Sequence, residues 1–87
     1  SLYLQETMRI KPIYEAYHGR KKQIDLKKSI GKVSASAIIP YPPGVPLVVP
    51  GEEITEEVYD QIISLMENSI EIVGLMGYNK DRLVIVE

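Results

Sequence analysis

Five of the chain's six prolines, Pro40, Pro42, Pro43, Pro46 and Pro50, lie between Ile38 and Glu53. Each fixes φ near −65° and removes a backbone donor, and each biases the preceding residue toward an extended conformation. No helix can pass through this stretch. The expected course is a stiff, extended path with one bend at Gly44, where positive φ costs little. Such a path loses little entropy on folding and holds Tyr41 in place. The flanks are apolar, Ala37-Ile38-Ile39 before and Leu47-Val48-Val49 after, and no charge occurs from Ala37 through Gly51. A run of that character packs on its own domain or on a neighbour, because bare apolar surface of this extent is uncommon.

Eighty-seven residues make one small domain. With no cysteine, a disulfide scaffold and a zinc–thiolate site are excluded, and a cytoplasmic protein is expected. No apolar run approaches the ~20 residues that cross a bilayer, so no membrane partner is expected. Charge is uneven: residues 1–40 carry a net +5 and residues 41–87 a net −7, giving −2 overall. A basic half raises the question of nucleic acid. The basic residues lack interleaved aromatics and a reader motif, so nucleic acid is not expected as a partner.

Along the chain, residues 1–11 read as a linker or edge element and residues 12–87 as the domain. Pro12 suits a first helical position, and Gly19 suits a stop, which predicts a short helix over 12–18. Gly19-Arg20-Lys21-Lys22 reads as a solvated loop. Leu26–Ile30 reads as a further turn of helix with Asp25 as its N-cap and Gly31 as its end. Residues 32–38 alternate as a strand with small residues on both faces. Leu47–Val49 pairs briefly before Pro50 and Gly51 break it. The clearest helix starts at Thr55. Glu56 and Glu57 occupy its first turn, and Ile54 and Tyr59 form a hydrophobic staple. Val58, Ile62, Leu65, Met66 and Ser69 make its apolar stripe. Ile70–Val73 reads as a strand ending at Gly74, residues 77–81 as a turn, and Leu83–Val86 as a second strand. The expected fold is α+β, a small single domain with two or three helices packed on a sheet of about four short strands.

Catalytic chemistry has few residues to draw on. His18 is the one histidine, and it reads as a helix C-terminal charge partner. There is no Gly-x-Ser-x-Gly elbow. Glu52/Glu53 and Glu56/Glu57 are ordinary around a helix start and lack a third convergent ligand, so no metal is expected. Gly74-Leu75-Met76-Gly77 is too short for a phosphate loop. Pro40-Tyr41-Pro42-Pro43 and Pro43-Gly44-Val45-Pro46 both fit Pro-x-x-Pro, which keeps open a non-catalytic interaction module docking through a polyproline helix.

The order Pro12-Ile13-Tyr14-Glu15-Ala16-Tyr17, Ile30-Gly31-Lys32-Val33-Ser34-Ala35, Pro40-Tyr41-Pro42-Pro43-Gly44-Val45-Pro46, Pro50-Gly51-Glu52 and Ile54-Thr55 resembles the C-terminal domain of the ornithine/lysine/arginine decarboxylases. These are pyridoxal-phosphate enzymes of the aspartate-aminotransferase fold type. The resemblance runs from about Ile10 to the end, and Tyr-Pro-Pro-Gly-Val-Pro followed by Pro-Gly-Glu is its most specific part. Ser36 departs from it, where members often carry an acidic residue.

The resemblance implies decarboxylation of a basic amino acid by a parent enzyme that uses pyridoxal 5'-phosphate as electron sink. The family's cofactor lysine lies in a Ser-x-His-Lys motif of the large domain. Nothing here matches it, since His18 precedes Gly19, so this segment is expected to hold neither catalytic nor cofactor-binding residues. By the same resemblance the domain packs beside a dimeric active site and shapes the substrate channel. Tyr41, Pro42, Pro43, Gly44, Val45, Pro46 and Glu52 are the channel candidates. The implied partners are the large domain of the same protein, a second copy of the parent, and a basic amino acid.

Overall fold

The computed structural model describes residues 20–87. The expected linker over 1–11, the helix over 12–18 and His18 lie outside the described residues. The elements, in order, are β1 (Lys21–Asp25), a single 3₁₀ turn (Leu26–Lys28), β2 (Val33–Ser34), β3 (Ile39–Tyr41), α1 (Glu56–Glu67), β4 (Glu71–Val73) and β5 (Arg82–Val86). The fold is α+β, with one α-helix among the described residues and two small sheets.

The helix forms where its sequence signals lie. Thr55 caps it, its hydroxyl accepting from the Val58 N–H at 3.1 Å. Glu56 and Glu57 meet the positive end of the helix dipole. Ile62 is fully buried, and Val58, Tyr59, Leu65 and Met66 pack around the core beside it. Ser69 is not part of this stripe but lies past the helix end. It takes φ +63° while its N–H donates to the Met66 carbonyl and the Ile70 N–H to the Leu65 carbonyl. That pair of bonds is a Schellman closure, which usually employs glycine at this residue.

The first sheet is antiparallel in the order β1–β5–β2, with Asp25 opposite Arg82 and Lys21 opposite Val86. Leu83 and Ile85 of β5 point into the core, where they meet Leu26, Ile54, Ile62 and Leu75. Val84 and Val86 face the other way and pack with Val33 and Ala35. On the far side of β2 the backbone continues the pairing: Ser34 N–H donates to the Glu52 carbonyl, Gly51 N–H to Ser34, and Ile54 N–H to Lys32. The expected strand over 32–38 therefore divides. Val33–Ser34 joins the first sheet, and the chain turns at Ala35–Ser36 before Ile39–Tyr41 joins the second.

Two other expectations are corrected. Lys21 and Lys22 lie on a strand, not in a loop, because β5 supplies a partner from the far end of the sequence. The turn after β1 is shorter than expected, and Asp25 makes no side-chain cap there. Its carboxylate is held instead by Arg82, with Nη1 at 2.6 Å from Oδ1. Arg82 also donates from Nε to the Gln23 side chain at 2.7 Å, clamping β1 to β5.

The second sheet is the antiparallel pair β3–β4, with Ile39 opposite Val73, Pro40 opposite Ile72 and Tyr41 opposite Glu71. A proline inside a strand is tolerated where its missing N–H is not needed for the ladder. Pro40 meets that condition: its carbonyl is turned away from β4 and accepts from the Gly44 N–H at 2.7 Å.

Candidate functional site

The proline-rich stretch folds back on itself. At its base Ile38 and Val48 pair, with the Ile38 N–H donating to Val48 at 2.9 Å and the Leu47 N–H donating to Ile38 at 2.8 Å. The Gly44 N–H to Pro40 bond then closes the tip. The bend falls at Gly44 as expected, with φ +89°. The two arms are hydrogen-bonded to each other, so the stretch is not one open extended path. It is also not a polyproline helix, which has no internal hydrogen bonds.

The base of this loop is firmly held and its tip projects. Ile38, Pro40 and Val48 are buried. Tyr41 is 50% exposed and Val45 61% exposed, and Pro42, Pro43 and Pro46 are also exposed. The Tyr41 ring lies over Gly44, where a Cβ would sit 3.1 Å from the ring's Cε1. The fold thus brings six of the seven channel candidates, Tyr41 to Pro46, into one rigid projection.

Glu52, the seventh, stands elsewhere. Pro50 and Gly51 form a tight turn, with φ +95° at Gly51 and the Glu52 N–H donating to the Val49 carbonyl at 3.1 Å. The Glu52 Oε1 accepts from the Val49 N–H at 3.0 Å. Its carboxylate therefore buttresses the strand that returns from the loop tip. Proline followed by glycine suits such a turn, because the second central residue needs positive φ.

The described residues offer no catalytic constellation. Ser29 and Ser34 are buried, but Ser29 Oγ donates to the Leu26 carbonyl and Ser34 Oγ to the Ser36 carbonyl, with no base beside either. Among the described residues no group of three or more potential ligands could hold a metal ion, and no helix is long and apolar enough to cross a membrane. A cleft of about 320 Å³ opens between the 3₁₀ turn, α1 and the turn before β5, and Lys27 stands on its wall. Asp25 and Asp81 line the same cleft. Two carboxylates repel a phosphate, and the described lysines are all exposed. These residues do not fit pyridoxal phosphate, and no step through that group is assigned to them.

Three residues outside the sequence-derived set belong to the same projecting region. Ile39, Val73 and Glu71 share the outward face of the β3–β4 ribbon with Tyr41, because directly opposed residues in an antiparallel pair lie on one face. The signal was present in the alternation Glu71-Ile72-Val73, in which Ile72 is buried and its neighbours are exposed. The partner strand could not be read locally.

The model of the Orn/Lys/Arg decarboxylase C-terminal domain matches residues 4–78. The inducible lysine decarboxylase of Escherichia coli K12 is 55% identical over 40 residues, which is 46% of this chain and 6% of that protein. The arginine decarboxylase of Bacillus subtilis 168 is 33% identical over 60 residues, 69% of this chain and 12% of that protein. The solved constitutive lysine decarboxylase of Escherichia coli superposes with a TM-score of 0.79 at 30% identity, over 91% of this chain and 13% of that one. The chain thus spans a small fraction of the length of the relatives it matches.

Proposed function

The chain belongs to the family of Orn/Lys/Arg decarboxylase C-terminal domains, and from that premise we propose that it is the accessory part of a pyridoxal-phosphate-dependent decarboxylase acting on arginine, lysine or ornithine. The observation that carries this reading is the family match over residues 4–78, supported by the superposition on a lysine decarboxylase. The cofactor and its lysine belong to the large domain of the parent, which acts as a homo-oligomer in the cytoplasm.

The work of this segment is positional. The loop from Tyr41 to Pro46 forms part of the wall of the substrate channel. Its rigidity comes from the Ile38–Val48 pairing, the Pro40–Gly44 closure and the Glu52 buttress. A wall held by backbone hydrogen bonds keeps its shape while substrate passes, and a displacement of about 1 Å near a reacting centre can cost on the order of 100-fold in rate.

The test uses the full-length natural protein. An absorbance band with added pyridoxal phosphate, converted by borohydride into a covalent adduct, identifies the lysine imine. Carbon dioxide release from arginine, lysine and ornithine in turn then identifies the substrate. No band in a folded full-length chain refutes the decarboxylase reading. For the channel wall, Tyr41→Ala and Gly44→Ala are expected to lower kcat/KM by roughly 10-fold or more, with the left-handed conformation at Gly44 costing its variant only about 0.5–1 kcal/mol of stability. Unchanged kcat/KM in both variants refutes that role.

A further inference from the structure

The loop proposed as channel wall carries no charge of its own. No Asp, Glu, Lys or Arg occurs from Ala37 through Gly51, and the Glu52 carboxylate is turned to the Val49 N–H. A charge reaches the projection from the other strand of its ribbon. Glu71 stands directly opposite Tyr41 in the β3–β4 pair. Opposed residues lie on one face, with Cβ atoms about 4.5–5.5 Å apart. Both are exposed, and the Tyr41 ring is held beside Gly44. Among the described residues no ion pair or side-chain hydrogen bond holds the Glu71 carboxylate. Lys80 lines one shallow hollow with Glu71, yet the two form no ion pair. The next pair on the same face, Ile39 opposite Val73, is apolar and half-exposed.

We propose that Glu71 and Tyr41 together form the cation-recognition element of the channel wall, where the side-chain ammonium or guanidinium of the incoming amino acid meets the carboxylate and the ring. The inference rests on the channel-wall reading and adds to it Glu71, a residue outside the loop. A carboxylate beside an aromatic face offers a cation two attractions, one from the charge and one from the ring quadrupole. A neutral side chain of the same length gains neither, and it would desolvate Glu71 without return. A loop of proline, valine and tyrosine cannot make that distinction alone. The apolar pair next to Tyr41 and Glu71 favours a substrate over a fixed basic group of the parent. Two residues along a strand cover about 7 Å, which suits an aliphatic stem of about four carbons behind a cationic head. A fixed ion pair has no need of that strip, and at an exposed site it contributes little.

The experiment measures kcat and KM of the full-length holoenzyme and its Glu71→Gln variant with lysine, arginine and ornithine, at low salt and at about 1 M sodium chloride. A unit charge about 4 Å from its opposite in water is worth about fivefold in binding. Glu71→Gln is therefore expected to raise KM about fivefold at low salt, with a smaller change in kcat. At about 1 M salt, where the Debye length is about 3 Å, the variant is expected to lie within about twofold of the unsubstituted enzyme. Glu71→Asp keeps the charge and is expected to recover most of the loss. An unchanged KM at low salt overturns the proposal. A rise that persists at high salt, or that Glu71→Asp reproduces in full, also overturns it, because the carboxylate then holds structure or meets a fixed basic group. The channel wall is read separately in Tyr41→Ala and Gly44→Ala. Lowered kcat/KM in those two with an unchanged Glu71→Gln leaves the wall standing and refutes the cation site alone. Unchanged kcat/KM in those two refutes the wall and, with it, this element.

Discussion

Gly74 ends β4, and replacing it separates two costs that usually arrive together. Its φ is +107°, and a Cβ built there would lie 2.1 Å from the Ala37 carbonyl oxygen, 3.1 Å from the Ala37 carbonyl carbon and 3.0 Å from Ile38 Cδ1. Two of these three are backbone atoms, so no rotamer change relieves the overlap. Gly31 provides the control. Its φ is +87°, and nothing lies within 4 Å of the position its Cβ would take. An alanine at Gly31 pays the left-handed conformation alone, about 1–2 kcal/mol, less the roughly 0.5–1 kcal/mol recovered because alanine has fewer unfolded conformations to lose. The net loss is about 0.5–1 kcal/mol. An alanine at Gly74 adds the displacement of packed backbone, which resembles overpacking at about 1–3 kcal/mol. The total of about 1.5–4 kcal/mol is a large share of the stability of a small domain. Urea unfolding of Gly31→Ala and Gly74→Ala in the same full-length chain measures the difference. Hydrogen exchange read on peptides covering Ala37–Tyr41 and Glu71–Leu75 localises it. Faster exchange in both peptides for Gly74→Ala alone is expected, because the displaced carbonyl belongs to the residue before the Ile38–Val48 pair. Equal losses for the two alanines, within about 0.5 kcal/mol, refute the claim that close approach makes Gly74 necessary.

Ser69→Gly is expected to stabilise the protein by roughly 0.5–1 kcal/mol. It relieves a left-handed non-glycine residue of about 1–2 kcal/mol while giving back part of that as chain entropy; an unchanged or lower urea midpoint refutes the reading. Glu52→Ala is expected to cost about 1–2 kcal/mol by leaving the half-buried Val49 N–H without its acceptor. Glu52→Gln keeps an acceptor oxygen and loses less than half as much, and equal costs in denaturant titrations refute the buttress. The Asp25–Arg82 pair is about 40% exposed on each side, so a double-mutant cycle with Asp25→Asn and Arg82→Gln is expected to give a coupling of about 1 kcal/mol or less, falling further in 1 M salt. A coupling above about 2 kcal/mol refutes solvent screening as the governing effect.

How much was legible depended on how local each interaction is. Helix α1 was readable from its start at Thr55 because its cap, dipole charges and most of its apolar stripe lie within one stretch of sequence. The Pro50–Gly51 turn and the bend at Gly44 were readable for the same reason. The strand at Lys21–Asp25 was not. Three of its five residues are charged and three are exposed, without alternation, and only pairing with Arg82–Val86 makes it a strand. Pro40 reads in the sequence only as part of a stiff extended path, and its place in a strand follows from a partner, Ile72, that lies far along the chain. The channel loop was recognised as a unit from its motif. Glu52 was grouped with it through the Pro-Gly-Glu part of the same resemblance, and its carboxylate accepts from the Val49 N–H.

The middle strand of the first sheet is the last to be made. Arg82 and Asp25 stand 57 residues apart in sequence, and β5 lies between β1 and β2. During synthesis at about 5–20 residues per second, β1 therefore waits roughly 3–11 seconds for its neighbour. Over that interval both β1 and β2 lack the strand that joins them in the finished sheet, a situation that invites pairing with other nascent chains. Lys21 and Lys22 on β1 are suited to that interval, since charge on an unmatched strand discourages the wrong neighbour. A chain stalled before Arg82 would thus lack Leu83 and Ile85 from the core that α1 packs on, as well as the strand that joins β1 to β2.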